Sequence, residues 1–152
     1  MFFEKLSLVT GGFDPIHSGH IRYFERAKDF SDYLVVGLNG DPWLKRKKGQ
    51  YFQCWTERAD IVRHLNMVDA VVSWDDADDS ACGAIEKCLD IADKVVFCNG
   101  GDRQQGNTPE LERYKDDPRV IGCMSAVAVV ARRQLGSVAR LLRGPAEPHS
   151  YR

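Results

Sequence analysis

Apolar residues along the chain fall into short continuous runs separated by segments with helical spacing. The runs have the length of strands and predict five of them, at residues 6–10, 33–38, 70–74, 94–98 and 119–123. Between the runs, apolar side chains recur every three or four positions, as in Ile21, Phe24 and Ala27. Continuous apolar strands that alternate with helices are typical of a parallel sheet covered on both faces. The pattern therefore predicts an α/β protein with a doubly wound parallel sheet of about five strands.

Polar residues that commonly cap helices mark where the predicted helices begin. The predicted starts are near Ser18 and directly after the caps Thr56, Ser80 and Thr108. In such sheets ligands bind at the carboxyl ends of the strands. Candidate binding residues are therefore expected in the segments that directly follow the strands. That rule selects three loops, at residues 11–18, 39–49 and 99–107.

Composition is that of one globular domain covering residues 1–152. The 152 residues include 21 basic and 22 acidic side chains, for a net charge of −1, and 43% of them are apolar. The near-neutral charge argues against a nucleic-acid-binding protein, which usually carries a basic field. No apolar run reaches the ~18 residues needed to span a bilayer, and the N-terminus does not resemble a secretory signal. We therefore expect a cytoplasmic location and no membrane partner.

The C-terminal part of the chain, residues 119–152, differs in composition from the rest. It holds six arginines, no lysine and a single acid, Glu147, whereas all eight lysines lie within residues 1–118. We call residues 119–152 the atypical tail. Two hypotheses account for it: a frameshift that replaced the original C-terminus, or a divergent but genuine sequence.

The first loop has the features of a phosphate-binding site. Two glycines follow the first strand, and the next helix begins with His17 and His20 three residues apart. A glycine-lined helix N-terminus offers close backbone approach, unpaired N–H groups and a positive dipole end to an anion. The two imidazoles add hydrogen-bond donors on one side of the helix. A zinc site is the less favoured alternative, because no third ligand stands at a suitable spacing.

The segment from Thr10 to His20, T-G-G-F-D-P-I-H-S-G-H, resembles the nucleotidyltransferase superfamily that carries the H-x-G-H motif. The resemblance implies a Rossmann-like fold, a nucleoside triphosphate (ATP or CTP) and Mg²⁺. It also implies that a substrate phosphate attacks the α-phosphorus while pyrophosphate leaves. By this resemblance His17 and His20 are catalytic and bind the triphosphate. The nucleotide-binding residues it implies here are Thr10, Gly11, Gly12, Phe13, Asp14 and Gly19.

The second loop carries four consecutive cations. Its sequence is similar to the N-x-D-x-x-x-K-R-x-K-G loop of heptose-phosphate adenylyltransferases. By that match Lys45 joins the catalytic residues, and Arg46 and Lys48 bind substrate phosphate, because two polyanions need cations to offset their repulsion. Lys47 is expected to be solvated. Arg58 has two open interpretations, a ligand of substrate phosphate or an exposed first-turn arginine.

Two further segments complete the comparison. Asp75, Asp76, Asp78 and Asp79 form an acidic loop that we expect to be a solvated connection. The third loop resembles the family's G-G-D segment, which implies nucleotide contacts from Gly100, Gly101 and Asp102. The family's C-terminal serine/threonine cluster has no clear equivalent here, and Ser137 is the nearest nucleotide-binding candidate.

The favoured function is adenylyl transfer to a heptose-phosphate-like sugar by a homodimeric enzyme, with the dimer implied by the resemblance. A glycerol-3-phosphate cytidylyltransferase and an enzyme similar to FAD synthetase remain open. A nucleotide-binding protein without turnover is a candidate of another class, which the missing serine cluster favours and the intact histidine pair disfavours. A fragment of an RNA-binding synthetase is disfavoured by the length and the neutral charge.

Overall fold

A computed structural model describes residues 2–99 and 108–123. The described residues contain a five-stranded, all-parallel sheet in the order β3-β2-β1-β4-β5. The strands are β1 (Phe3–Gly11), β2 (Leu34–Leu38), β3 (Ala70–Val72), β4 (Ala92–Cys98) and β5 (Val120–Cys123). The predicted Rossmann-like α/β sheet of about five strands is confirmed.

One described helix lies between each pair of successive strands, except that two helices lie between β2 and β3. The helices are α1 (Ser18–Lys28), α2 (Asp41–Lys48), α3 (Trp55–Arg63), α4 (Cys82–Leu89) and α5 (Pro109–Arg113). Among the described residues, none of these helices is long and apolar enough to cross a membrane.

Each face of the sheet is buried in its own apolar cluster, because successive residues of a strand point to opposite sides. On one face Val9 and Val36 pack with Phe24 of α1 and with α3. On the other face their neighbours Leu8 and Val35 pack with α4. Burial on both faces explains why the strands are continuously apolar instead of alternating.

Helix α2 is the main departure from the expected structure, because residues 39–49 were expected to form a loop. Its only buried residue is Leu44, so the apolar periodicity that marks the other helices is missing. The ends of α2 nevertheless have helical signals. Pro42 lies in the first turn, four cations occupy the last turn, and Gly49 ends the helix at φ 82°.

Two predicted N-caps are wrong by one or two residues. Helix α3 begins at Trp55 with Cys54 as its cap, where Thr56 was expected. The indole N–H of Trp55, the first residue of the helix, donates to the Leu38 carbonyl at 3.2 Å, a tertiary contact that the local sequence does not indicate. Helix α4 is capped by Ala81, one residue after Ser80.

Candidate nucleotide-binding site

The two histidines of the first loop cap helix α1 and stack on each other. His17 is the N-cap, and its Nδ1 accepts the Gly19 N–H at 3.0 Å. Nδ1 of His20 in turn accepts the His17 N–H at 3.2 Å. The ring centroids lie 3.7 Å apart with an interplanar angle of 20°. The pair forms a capping box in which imidazoles replace the usual hydroxyl and carboxylate.

These two hydrogen bonds fix the tautomer of both rings. A ring nitrogen that accepts a backbone N–H holds a lone pair there, so each neutral imidazole carries its proton on Nε2. No described residue bonds to Nε2 of His17 or His20. The helix start therefore presents two imidazole N–H donors, from stacked rings, beside the positive end of the α1 dipole.

His20 lies in surroundings that keep it uncharged. Its ring meets the edge of Phe13 with centroids 4.9 Å apart. Burial, and to a smaller extent the neighbouring His17 and Lys48, lower the pKa of His20 from 6.5 to about 4. At neutral pH His20 is thus a neutral donor, which binds an anion through a hydrogen bond rather than through charge.

Positive charge is supplied from the C-terminal turn of α2. Lys48 is near enough to His20 to affect its pKa. The Lys45 ammonium lies 5.4 Å from the centroid of the Tyr51 ring. Both lysine side chains are exposed, and neither has an ion-pair partner among the described residues. The structure therefore brings Lys48 to the histidine pair and leaves Lys45 on the same helical turn.

Arg46 and Lys47 face a different neighbour. Both side chains form ion pairs with Asp79, at 3.2 Å and 3.0 Å. Arg46 also donates to the carbonyl of Asp76 at 2.9 Å. The predicted phosphate contact of Arg46 competes with these bonds, and Lys47 is paired rather than simply solvated.

The backbone of the first loop is shaped by packing. Phe13 adopts φ 48°, a region that bulky residues rarely occupy, and its ring turns inward against Phe24 with centroids 4.9 Å apart. A Cβ atom at Gly11 would lie 2.9 Å from that ring, so the glycine makes room for it. Thr10 and Gly11 end strand β1 at the edge of the sheet where the site is formed.

Asp14 holds a neighbouring segment of the protein. Its two carboxylate oxygens accept the Phe52 N–H at 2.6 Å and the Gln53 N–H at 2.7 Å. The carboxylate predicted to contact the nucleotide therefore fastens the connection between α2 and α3 to the first loop.

Arg58 differs from one of its two sequence-based interpretations. Its side chain is fully buried, so it is not an exposed first-turn arginine. The guanidinium donates to the carbonyls of Gly12, Asn39 and Gln53 and pairs with the Asp41 carboxylate. Four of its five N–H donors bond to protein oxygens, so Arg58 connects several segments of the site, and its contact with substrate phosphate stays a prediction.

Asp76 is a structural residue that the sequence did not reveal. It is 7% exposed, and its carboxylate accepts from the Asn39 amide at 3.0 Å and from the Gly40 N–H at 2.8 Å. The expectation of a solvated acidic loop is therefore wrong at this position. Four similar acids stand close together in that loop, and no sequence signal distinguishes the one that turns inward.

Several predicted site residues lie outside the described part of the chain: Gly100, Gly101, Asp102 and Ser137. Within residues 2–99 and 108–123, no group of three or more His, Cys, Asp or Glu side chains is arranged to hold a metal ion.

The comparisons with known proteins agree with this geometry. The family model described as Cytidylyltransferase-like matches residues 8–86. The chain is 39% identical over 115 residues to the bifunctional protein HldE of Geobacter metallireducens, covering 74% of this chain and 21% of that protein. It is 40% identical over 75 residues to the bifunctional protein HldE of Campylobacter curvus, covering 48% of this chain and 16% of that protein. The chain thus spans only about a fifth of the length of these relatives.

A solved structure has a similar fold. The crystal structure of the lipopolysaccharide core biosynthesis protein from Thermoplasma volcanium superimposes with a TM-score of 0.63 at 19% identity. The match covers 78% of this chain and 93% of that one.

Proposed function

Because the chain belongs to the cytidylyltransferase-like family, we propose that this nucleotidyltransferase transfers an adenylyl group from ATP to a heptose-phosphate-like sugar. In this reaction an oxygen of the sugar phosphate bonds to the α-phosphorus of ATP. The bond from that phosphorus to the bridging oxygen breaks, and pyrophosphate leaves with the electron pair.

The stacked imidazole pair is the observation that carries the proposal. Nε2–H donors on His17 and His20 stand at the positive end of α1, where a triphosphate is favoured. Negative charge grows on the α-phosphate and on the leaving pyrophosphate during transfer, and donors placed in advance stabilise it. Such transfers require positioning and charge stabilisation, so the site needs no nucleophilic side chain.

The lysines of α2 support a phosphorylated acceptor. Lys45 and Lys48 lie on the last turn of α2, and Lys48 is near enough to His20 to lower its pKa, so cations of this turn can offset the repulsion between two polyanions. The loop that contains them matches the pattern of heptose-phosphate adenylyltransferases, and the relatives named HldE are consistent with that acceptor.

Magnesium remains part of the proposal through the nucleotide. Mg²⁺ is usually held by substrate phosphates with one or two carboxylates, and it neutralises their charge. Asp14, in the first loop, and Asp41, at the start of α2, already accept hydrogen bonds from the protein. The described residues therefore fit a Mg²⁺ ion whose main ligands would be the oxygens of the triphosphate.

The test is a panel of nucleoside triphosphates and phosphorylated acceptors, scored by release of pyrophosphate with and without Mg²⁺. The proposal predicts release with ATP and a heptose phosphate. Release with CTP and glycerol 3-phosphate, or with ATP and FMN, would instead favour one of the two related enzymes. Binding of ATP without release in any combination would identify a protein that has lost turnover. Light scattering of the same sample tests the expected homodimer.

A further inference from the structure

We propose that Arg58 is a positioning residue of the transfer site, which holds the phosphate-binding loop and the lysine-bearing helix α2 in one fixed arrangement. This inference rests on the proposed function. It concerns how the two halves of the site keep their relative position, and it assigns to Arg58 no contact with a substrate.

The contacts of Arg58 reach three separate segments of the chain. Its Nη1 donates to the carbonyls of Gly12, in the first loop, and Asn39, at the end of β2, both at 2.8 Å. Its Nη2 pairs at 2.7 Å with Asp41, the first residue of α2. Its Nε donates at 3.0 Å to Gln53, in the connection from α2 to α3. One buried side chain thus joins the loop that would bind the triphosphate to the start of α2 and to the connection that precedes α3.

A lysine could not make the same set of bonds. The guanidinium is a rigid planar fork with five donors, whereas an ammonium is a single point charge with three. The Arg58 fork also lies in a site without solvent, where its charge is compensated by Asp41 and its N–H groups by carbonyls. Loss of the fork would leave these oxygens without their donor and would let the segments move apart.

The relative position of the segments matters because two charged substrates meet between them. The first loop offers the imidazole donors, and α2 offers Lys48 beside His20. A misplacement of about 1 Å between such groups can lower a rate by about 100-fold. We therefore expect the effect of Arg58 mainly in kcat, since the loop and α2 each retain their own binding groups.

The experiment compares Arg58→Lys with Arg63→Lys. Arg63 belongs to the same helix, is exposed and pairs only with Asp60 among the described residues, so it serves as the matched control. Both variants are assayed for pyrophosphate release well below their unfolding temperatures. We expect kcat of Arg58→Lys to fall by about 100-fold, with a much smaller change in KM for either substrate, and Arg63→Lys to match the wild type.

A second variant covers the case in which Arg58→Lys does not fold. Asp41→Asn keeps an oxygen in place but removes the charge that holds Arg58 at the start of α2, and Asp41 is partly exposed, so folding tolerates it better. A lower kcat at an unchanged unfolding temperature supports the inference. If a variant that folds, Arg58→Lys or Asp41→Asn, has the kcat of the wild type, the positioning role of Arg58 is overturned.

The same assay separates this inference from the proposed function. If the wild-type protein releases no pyrophosphate with any pair in the panel, the proposed function fails. If the wild type is active and the folded Arg58→Lys variant is equally active, the role of Arg58 fails alone.

Discussion

A Cβ atom on Gly12 would lie 2.7 Å from Cδ2 of Leu44. Leu44 is fully buried, so its methyl group has little space to move away. The first loop and helix α2 therefore meet at a position where glycine fits and a larger residue does not. The sequence suggested that Gly12 lets an anion approach the backbone, and the structure adds that it also lets α2 approach.

We expect Gly12→Ala to lower the free energy of unfolding by about 1–3 kcal/mol, because the added methyl overpacks a filled site. In the double variant with Leu44→Ala the clash disappears, so the two substitutions should cost less together than the sum of their separate effects. Denaturant unfolding of the four proteins of this cycle measures the coupling. Strictly additive costs would show that the two side chains do not compete for the same space.

The role of His17 as a donor can be separated from its role as a helix cap. Asparagine caps helices well, so His17→Asn should keep the bond to the Gly19 N–H and leave stability nearly unchanged, whereas His17→Ala should lose about 1 kcal/mol. Both variants lose the Nε2 donor, and we expect turnover to fall by about 10²–10³-fold in each, as in His20→Ala.

His64→Ala is the control for these variants. His64 is exposed on the cap of α3, with its Nδ1 2.7 Å from the Asp60 carbonyl, and we expect wild-type turnover. Full pyrophosphate release by His17→Asn would remove His17 from the proposed site.

Stability should depend on pH through His20. Its pKa is lowered from 6.5 to about 4 in the folded protein, mainly by burial, so the unfolded chain binds a proton more readily between these values. The free energy of unfolding should therefore fall as the pH drops from about 6.5 to about 4. In His20→Gln this part of the pH dependence should be absent. Unfolding curves measured at several pH values check it, and parallel profiles for both proteins would contradict it.

The position of Lys48 predicts a shift in the pKa of His20. Lys48→Met removes the ammonium that lowers the pKa of His20, so this pKa should rise. It should stay below its ordinary value, because burial is the larger cause of the shift. Lys47→Met is the matched control, since Lys47 pairs with Asp79, and burial, His17 and Lys48 account for the lowered pKa of His20. NMR titration of the His20 ring measures its pKa in both variants and in the wild type. An unchanged pKa in Lys48→Met would place that lysine away from the histidine pair.

The sequence by itself determined the sheet and the first loop. Continuous apolar runs such as residues 34–38 can only be buried on both faces, and the glycines and histidines before α1 are close neighbours in the chain. Their interactions are local, within three residues, so spacing alone predicts that His17 and His20 share one side of a helix start.

Only the tertiary structure decided the roles of Arg58, Asp76 and Asp14. Each is a charged residue that looks solvated or ligand-binding in the sequence, and each has at least two hydrogen-bond partners that lie 17 to 46 residues away. Helix α2 was missed for a related reason, because a single buried leucine under a loop creates no periodic pattern. Burial of a charge depends on which distant carbonyls and carboxylates fold around it, and a linear pattern does not record that proximity.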